Sequence, residues 1–409
     1  MTPAAALALA LGLFAALVPV TIAGANIAWG ILLAALLWAW AAGRRPDLSA
    51  PRTALEAPLW AYCAVALLSG LLAVHPHESL RHFNQDAHKL WLALLLAVAL
   101  RAAPGRGPLR WLAAGFAAAA LLGCAQWGAH VLQLPGLGRF PSARAHAFVA
   151  PVTFGEQMAV ALLGAAAFML RPAAGVPRRA AAALAALFTA ALLLSDTRGA
   201  VLGAGCGLAV MLLVIPGRRR LALAGAVGTL ALLAALDLAV PQRSFLRQAL
   251  RSERVGVASG GQMVRLTLWE EGLRMGLDHP WLGVGPNNYR DVLPRYVTMR
   301  FEDGSNSWGT AHDLYVHHFA ERGLIGLAVT LWLLGVLLVG AWRRARRSPD
   351  PWQVWALGVA AAFPVMNLTE VALQVEMVWM LVWLVWLWAE ARERAGAGAD
   401  ALPSSAQVG

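Results

Sequence analysis

The chain has 409 residues, 59% of them hydrophobic and only 13% charged, with a formal net charge of +11. Soluble domains carry about 25% charged residues, so this composition excludes an ordinary soluble protein and indicates an integral membrane protein whose apolar runs span about 30 Å of hydrocarbon. The positive charge does not indicate nucleic acid, because much of it lies in short loops between apolar segments, where it sets orientation in a membrane.

The N-terminal stretch MTPAAALALALGLF has no basic region before its apolar run. It reads as an uncleaved first helix rather than a signal peptide. We count about twelve apolar spans, near residues 4–20, 22–42, 55–74, 90–104, 109–130, 151–170, 178–195, 199–215, 221–240, 323–341, 352–368 and 371–389. Each is expected to be a helix, since lipid offers the backbone no hydrogen-bond partners. Cys63, Cys124 and Cys206 lie inside these runs without CxxC or zinc spacing and read as small buried hydrophobes. Trp342 and Trp352, near span ends, fit an interfacial belt.

Arginines set the orientation. Arg44, Arg45 and Arg52 follow the second span; Arg101, Arg106 and Arg110 the fourth; Arg171, Arg178 and Arg179 the sixth. Arg218, Arg219 and Arg220 follow the eighth span, and Arg343, Arg344, Arg346 and Arg347 the tenth. All these loops fall on one side, the cytoplasmic one by the positive-inside rule. The expected organisation is helices with short loops over 1–240, a long outer loop over 241–322, helices over 323–391, and a Gly/Ala/Ser-rich tail over 392–409. There is no internal repeat and no separate soluble domain in this reading.

The outer face then receives His75–Lys89, Val131–Ala150, Ser195–Gly199, Pro241–Arg322 and Asn367–Glu370. In the long segment, Arg243, Arg247 and Arg251 recur every four residues opposite Phe245, Leu246 and Leu250. That spacing predicts an amphipathic helix with a basic stripe, either lying on the membrane surface or simply solvated. Ser259 is placed to cap a following helix from about Gln262 to Leu277, on which Arg265, Trp269 and Gly272 share a face. HPWLGVGPNN reads as a glycine-rich turn, and a short helix begins at Tyr289. Thr310 is placed to cap a helix opened by His312 and running into the tenth span.

His312, at the outer mouth of a helix, suits a general base. His317 and His318 follow it at a spacing that can bind metal, but no HExxH accompanies them. Arg198 lies in SDTRGA, a short turn between two apolar spans, where an arginine can serve a site or pair with Asp196. Glu156 and Asp237, carboxylates within or near spans, keep an ion pathway or transporter open as a reading.

Three stretches carry a resemblance to a known family. They are SDTRGAVLG at 195–203, Arg265 to Trp269 followed by HPWLGVGPNNY at 279–289, and His312 followed by Glu321, Gly323 and Gly326. Asn367, Thr369 and Glu370 are similar to a further short motif. The chain resembles the bacterial O-antigen ligase family, within the wider group of O-antigen polymerases and O-linked oligosaccharyltransferases. Asp313 stands where that family usually has Asn or Ser. The spacings Arg265-x10-Gly276 and Arg274-x10-Gly285 also fit a polymerase pattern.

The resemblance implies an all-α polytopic membrane protein with a GT-C-like glycosyltransferase architecture in the bacterial inner membrane, its active site on the periplasmic side. It implies a donor glycan on undecaprenyl pyrophosphate and a lipid A–core acceptor, with no cofactor. His312, Arg198 and Arg265 are then the expected catalytic residues. The two arginines would bind the pyrophosphate, and Arg144, Arg139 and Arg81 would assist with substrate phosphates. The expectation is that His312, Arg265 and Arg198 meet above the bilayer.

Overall fold

The computed structural model describes residues 2–43, 53–103, 107–134, 143–173, 175–239, 257–258, 261–298, 300–301 and 304–400. The described chain is helical apart from one two-residue ladder. The first ten helices are α1 (Pro3–Leu17), α2 (Ile22–Ala41), α3 (Glu56–Leu71), α4 (Pro76–Arg81), α5 (Phe83–Ala102), α6 (Gly107–Val131), α7 (Pro151–Leu170), α8 (Arg178–Leu194), α9 (Arg198–Leu213) and α10 (Arg219–Ala239). They are followed by β1 (Val257–Ala258), α11 (Gly261–Asp278), α12 (Tyr289–Val292), β2 (Arg300–Phe301), α13 (Leu314–Arg347), α14 (Pro351–Met366) and α15 (Glu376–Asp400).

Every expected span falls on a helix, with shifted ends: the fourth begins at Phe83, and the last at Glu376. Among the described residues, four helices, α2, α6, α7 and α13, are long and apolar enough to cross a membrane by length and composition. Starts follow ordinary capping chemistry. Thr2 accepts from Ala5 N ahead of Pro3, and Asp350 accepts from Trp352 N and Gln353 N ahead of Pro351.

The centre of the bundle is α14, apolar and buried on nearly every face, packed between α7, α9, α13 and α15. A side chain at Gly207 would meet the Gly358 carbonyl, so small residues let α9 and α14 approach closely. On α15, Trp379, Trp383, Trp386 and Trp388 are fully buried. Trp383 donates to Lys89 O at 3.0 Å and Trp386 to Leu337 O at 2.9 Å, which satisfies buried indole N–H groups. Trp352 corrects the interfacial expectation: it is buried against Phe168, Trp388 and the Arg392 guanidinium.

The outer segment has more structure than a loop. Val264, Leu268, Met275, Tyr289, Val292, Leu293 and Phe301 build a second, smaller core. β1 pairs in parallel with β2, Val257 opposite Arg300. The expected helix at Gln262–Leu277 is α11. The arginine stripe at Arg243, Arg247 and Arg251 and the cap at Ser259 lie outside the described residues, as does the side chain of Asp237.

The sequence pattern predicts a continuous helix into the tenth span, and here the fold differs. Within α13, Gly323 has φ 63° and ψ −166°, which breaks the helix. The HPWLGVGP turn fills the gap. Val284 N donates to Ala320 O and Gly285 N to Glu321 O, both at 2.9 Å, while Leu324 N donates to Pro280 O at 2.7 Å. The backbone groups freed by the break are therefore paired across it. Gly283, with φ 67°, lies so close to the Glu321 and Arg322 backbone that a Cβ would collide there. Asn288, fully buried, braces the turn: it accepts from His75 N at 2.7 Å and donates to Ser79 Oγ at 2.8 Å.

Candidate active site

The site forms where the start of α13 meets the turn between α14 and α15. Asp313, not Thr310, caps α13: its Oδ1 accepts from Tyr315 N at 2.8 Å and Val316 N at 2.9 Å. Asn and Ser can form the same cap as Asp. Burial pushes the Asp313 carboxyl up, and the two backbone N–H donors partly offset it. The residue before it, His312, has φ 50°, a left-handed backbone uncommon for a side chain of this size and typical of functional positions.

Asn367 fixes the facing turn. Its carbonyl accepts from Leu314 N at 2.9 Å and its Oδ1 from Leu373 N at 3.0 Å, so the starts of α13 and of the 367–373 turn are tied together. This turn carries Glu370 to the centre of the site. Glu370 Oε2 lies 2.9 Å from His312 Nδ1, and Oε1 accepts from Arg265 Nη2 at 2.5 Å. Arg265 Nη1 also donates to the Thr369 carbonyl. Burial alone would push the Glu370 carboxyl up, but the His312 hydrogen bond and the Arg265 guanidinium hold it below the usual carboxylate range.

Trp308 completes the group, with Nε1 2.9 Å from His312 Nε2. An indole N–H only donates, so Nε2 is the accepting nitrogen. Nδ1 then carries the proton and donates to Glu370. The arrangement is a neutral imidazole oriented by a carboxylate, with its lone pair at Nε2, the pattern of a positioned general base.

The structure brings His312 and Arg265 together through Glu370. Arg198 is the half-buried first residue of α9. The next residue, Gly199, packs so tightly on Thr369 that a Cβ would strike its hydroxyl. The arginine turn therefore sits against the same Thr369–Glu370 turn. Arg144 holds that arginine turn in place: Nε donates to Ser195 O at 2.7 Å and Nη2 to Thr197 Oγ1 at 3.2 Å. Arg81, exposed at the end of α4, makes no hydrogen bond or ion pair with His312, Arg265 or Glu370 among the described residues. Arg139 lies outside the described residues.

His317 and His318 point into the protein. His317 Nε2 is 3.5 Å from Glu321 Oε2, and His318 Nδ1 is 2.8 Å from Thr330 Oγ1. Glu156 is buried on α7 with neither oxygen hydrogen-bonded among the described residues. Sequence reasoning included Glu370 only within a short motif and passed over Trp308. The available signal for Glu370 was a carboxylate beside threonine in an otherwise apolar stretch.

An all-helical chain with several membrane-length apolar helices, and with histidine, carboxylate and arginine gathered at one end, defines a multi-pass membrane protein with an enzyme-like site. Residues 182–331 match the family model described as O-Antigen ligase, and the resemblance seen in the sequence holds over that stretch. The match includes Arg198, Arg265 and His312 and ends before Glu370. No curated protein matches the chain.

Proposed function

We propose that the chain is an O-antigen ligase of the bacterial inner membrane, with about twelve spans and its site on the periplasmic side. It transfers a glycan from undecaprenyl pyrophosphate to a sugar of the lipid A–core. The observation that carries this reading is Glu370 bridging Arg265 and His312, which sets a base beside a phosphate-binding cation at the end of the helices.

In the proposed step, the acceptor hydroxyl takes the place of the Trp308 N–H at His312 Nε2. It gives its proton to Nε2 as its oxygen bonds to the donor's anomeric carbon. The bond from that carbon to the pyrophosphate oxygen breaks on the opposite side, and undecaprenyl pyrophosphate leaves. One displacement inverts the anomeric centre. Glu370 steadies the imidazolium that forms. Arg265 keeps N–H groups beyond those held by Thr369 and Glu370, and with Arg198 it offsets the charge growing on the pyrophosphate. Two guanidinium groups in this role would remove the need for a divalent ion.

The test is transfer by purified protein given undecaprenyl-pyrophosphate glycan and lipid A–core, in EDTA. Glycan on lipid A–core is the expected product. Lengthening of the lipid-linked glycan instead would make the chain a polymerase with the same site. Neither product, with active controls, would return attention to a lipid-linked glycan transporter. Activity restored only by a divalent ion would remove the metal-free step.

A further inference from the structure

A second cavity, of about 600 Å³, opens beside the first turns of α2, α5 and α15 and shares no lining residue with the His312 site. Its size falls within the range of small-ligand pockets. At its floor, Arg322 Nη2 donates to both Asp86 oxygens at 3.1 and 3.0 Å, and Lys89 Nζ lies 3.5 Å from Asp86 Oδ1. Nε and Nη1 of Arg322 are buried and have no hydrogen-bond partner among the described residues. These atoms are sealed beneath the floor, so a ligand's contacts come from the rest of the lining.

The lining decides the class of ligand. Asp86 and Glu376 answer Lys89 and Arg322 charge for charge, and Glu376 Oε1 also lies 2.9 Å from His88 Nδ1. Little net positive charge is left for a pyrophosphate. The exposed rim is made of amides, Asn26, Asn84, Gln85 and Asn287, which both donate and accept. Trp29 and Trp379 supply aromatic walls. Amides for hydroxyl groups and indoles for a C–H face suit a polyhydroxylated ring.

We propose that this cavity is a saccharide subsite holding a sugar of one of the two glycans, an inference that rests on the transfer reaction proposed above. Its position suits that role. Gln374, which lines the cavity, follows Glu370 by four residues in the turn between α14 and α15. A sugar held there lies beside the turn that carries Glu370 and leaves the His312 site open.

The test uses full-length protein in lipid nanodiscs and two lipid-free probes: core oligosaccharide released from lipopolysaccharide, and glycan released from the donor. Saturation-transfer NMR reports binding. Wild type binds at least one probe; the core oligosaccharide assigns the subsite to the acceptor, and the donor glycan assigns it to the donor. Asn26→Trp, which fills the mouth, and Asn84→Leu, from another helix, each weaken binding roughly tenfold or more. No binding of either probe to wild type, or unchanged binding in both rim variants, overturns the subsite. Transfer measured on the same preparations separates the two proposals. Wild type that transfers glycan but binds neither probe keeps the ligase reading and removes the subsite. Rim-dependent binding without transfer keeps the subsite and removes the ligase reading.

Discussion

The Arg265–Glu370–His312 group and the Arg322–Asp86–Lys89 group use the same chemistry in different settings. In the first, the side chains are 24%, 13% and 28% exposed, so a substrate can reach them. In the second they are 2%, 4% and 3% exposed, and Arg322 lies 4.8 Å over the Tyr62 ring. Charges held near water can exchange partners during a reaction. Charges sealed in protein cannot lose a partner without a large penalty. The first group is therefore read as chemical machinery. The second joins α5 to the outer arm of α13 and forms a fixed floor.

Breaking one member of each group tests this contrast. His312→Ala should lose roughly 10²–10⁴-fold in transfer rate from the base term alone, with little change in melting temperature. Full activity in that variant would remove the base role. Asp86→Asn should behave in the opposite way, because it leaves two buried cations without their anion. The expected cost is about 3–5 kcal/mol, seen as a lower melting temperature and poor yield. A variant as stable as wild type would show that the buried group does not brace the fold.

Glu370→Gln is a milder break, since the amide oxygen can still accept from His312 Nδ1. Loss of one charge-assisted hydrogen bond predicts roughly a tenfold to hundredfold slower transfer. The stability effect has a defined pH sign. The Glu370 pKa is lowered from 4.5, so its contribution is fully present above the ordinary carboxylate range. It fades as pH falls through the lowered value. The melting-temperature gap between wild type and Glu370→Gln should therefore be flat above that range and close in stronger acid. A gap that closed near neutral pH would contradict the assignment. The smallest effect is expected at Glu156, a buried carboxylate in no ion pair or hydrogen bond among the described residues. Glu156→Gln keeps the size of a side chain that the proposed step does not use, so transfer should stay within about twofold. A large loss would revive a proton or ion role for α7.

The helices were readable because apolar runs in lipid have one backbone solution. His312 and Arg265 were readable because each sits in a polar stretch with its own local signals. Glu370 and Trp308 were not, since their roles depend on contacts made only in the fold: Glu370 reaches His312 from the far side of two apolar segments. Trp352 misled because a tryptophan near a span end looks the same in sequence whether it faces lipid or protein. The break at Gly323 was hidden for a similar reason. The glycines at 283 and 285 announce a tight turn, but not that its amides replace rungs of another helix.

That exchange of rungs has a mechanical consequence. Below Gly323, α13 is the apolar arm of a helix long enough to cross a membrane. Above Gly323, the arm is splinted to the 280–285 turn and, through Leu314 and Asn367, to the 367–370 turn. The same turn also holds the lower arm, through Leu324 N to Pro280 O and Ile325 N to Trp281 O, so the two arms are clamped at one joint. His312 is thereby held in register with Glu370 by backbone bonds that run outside the helix it opens.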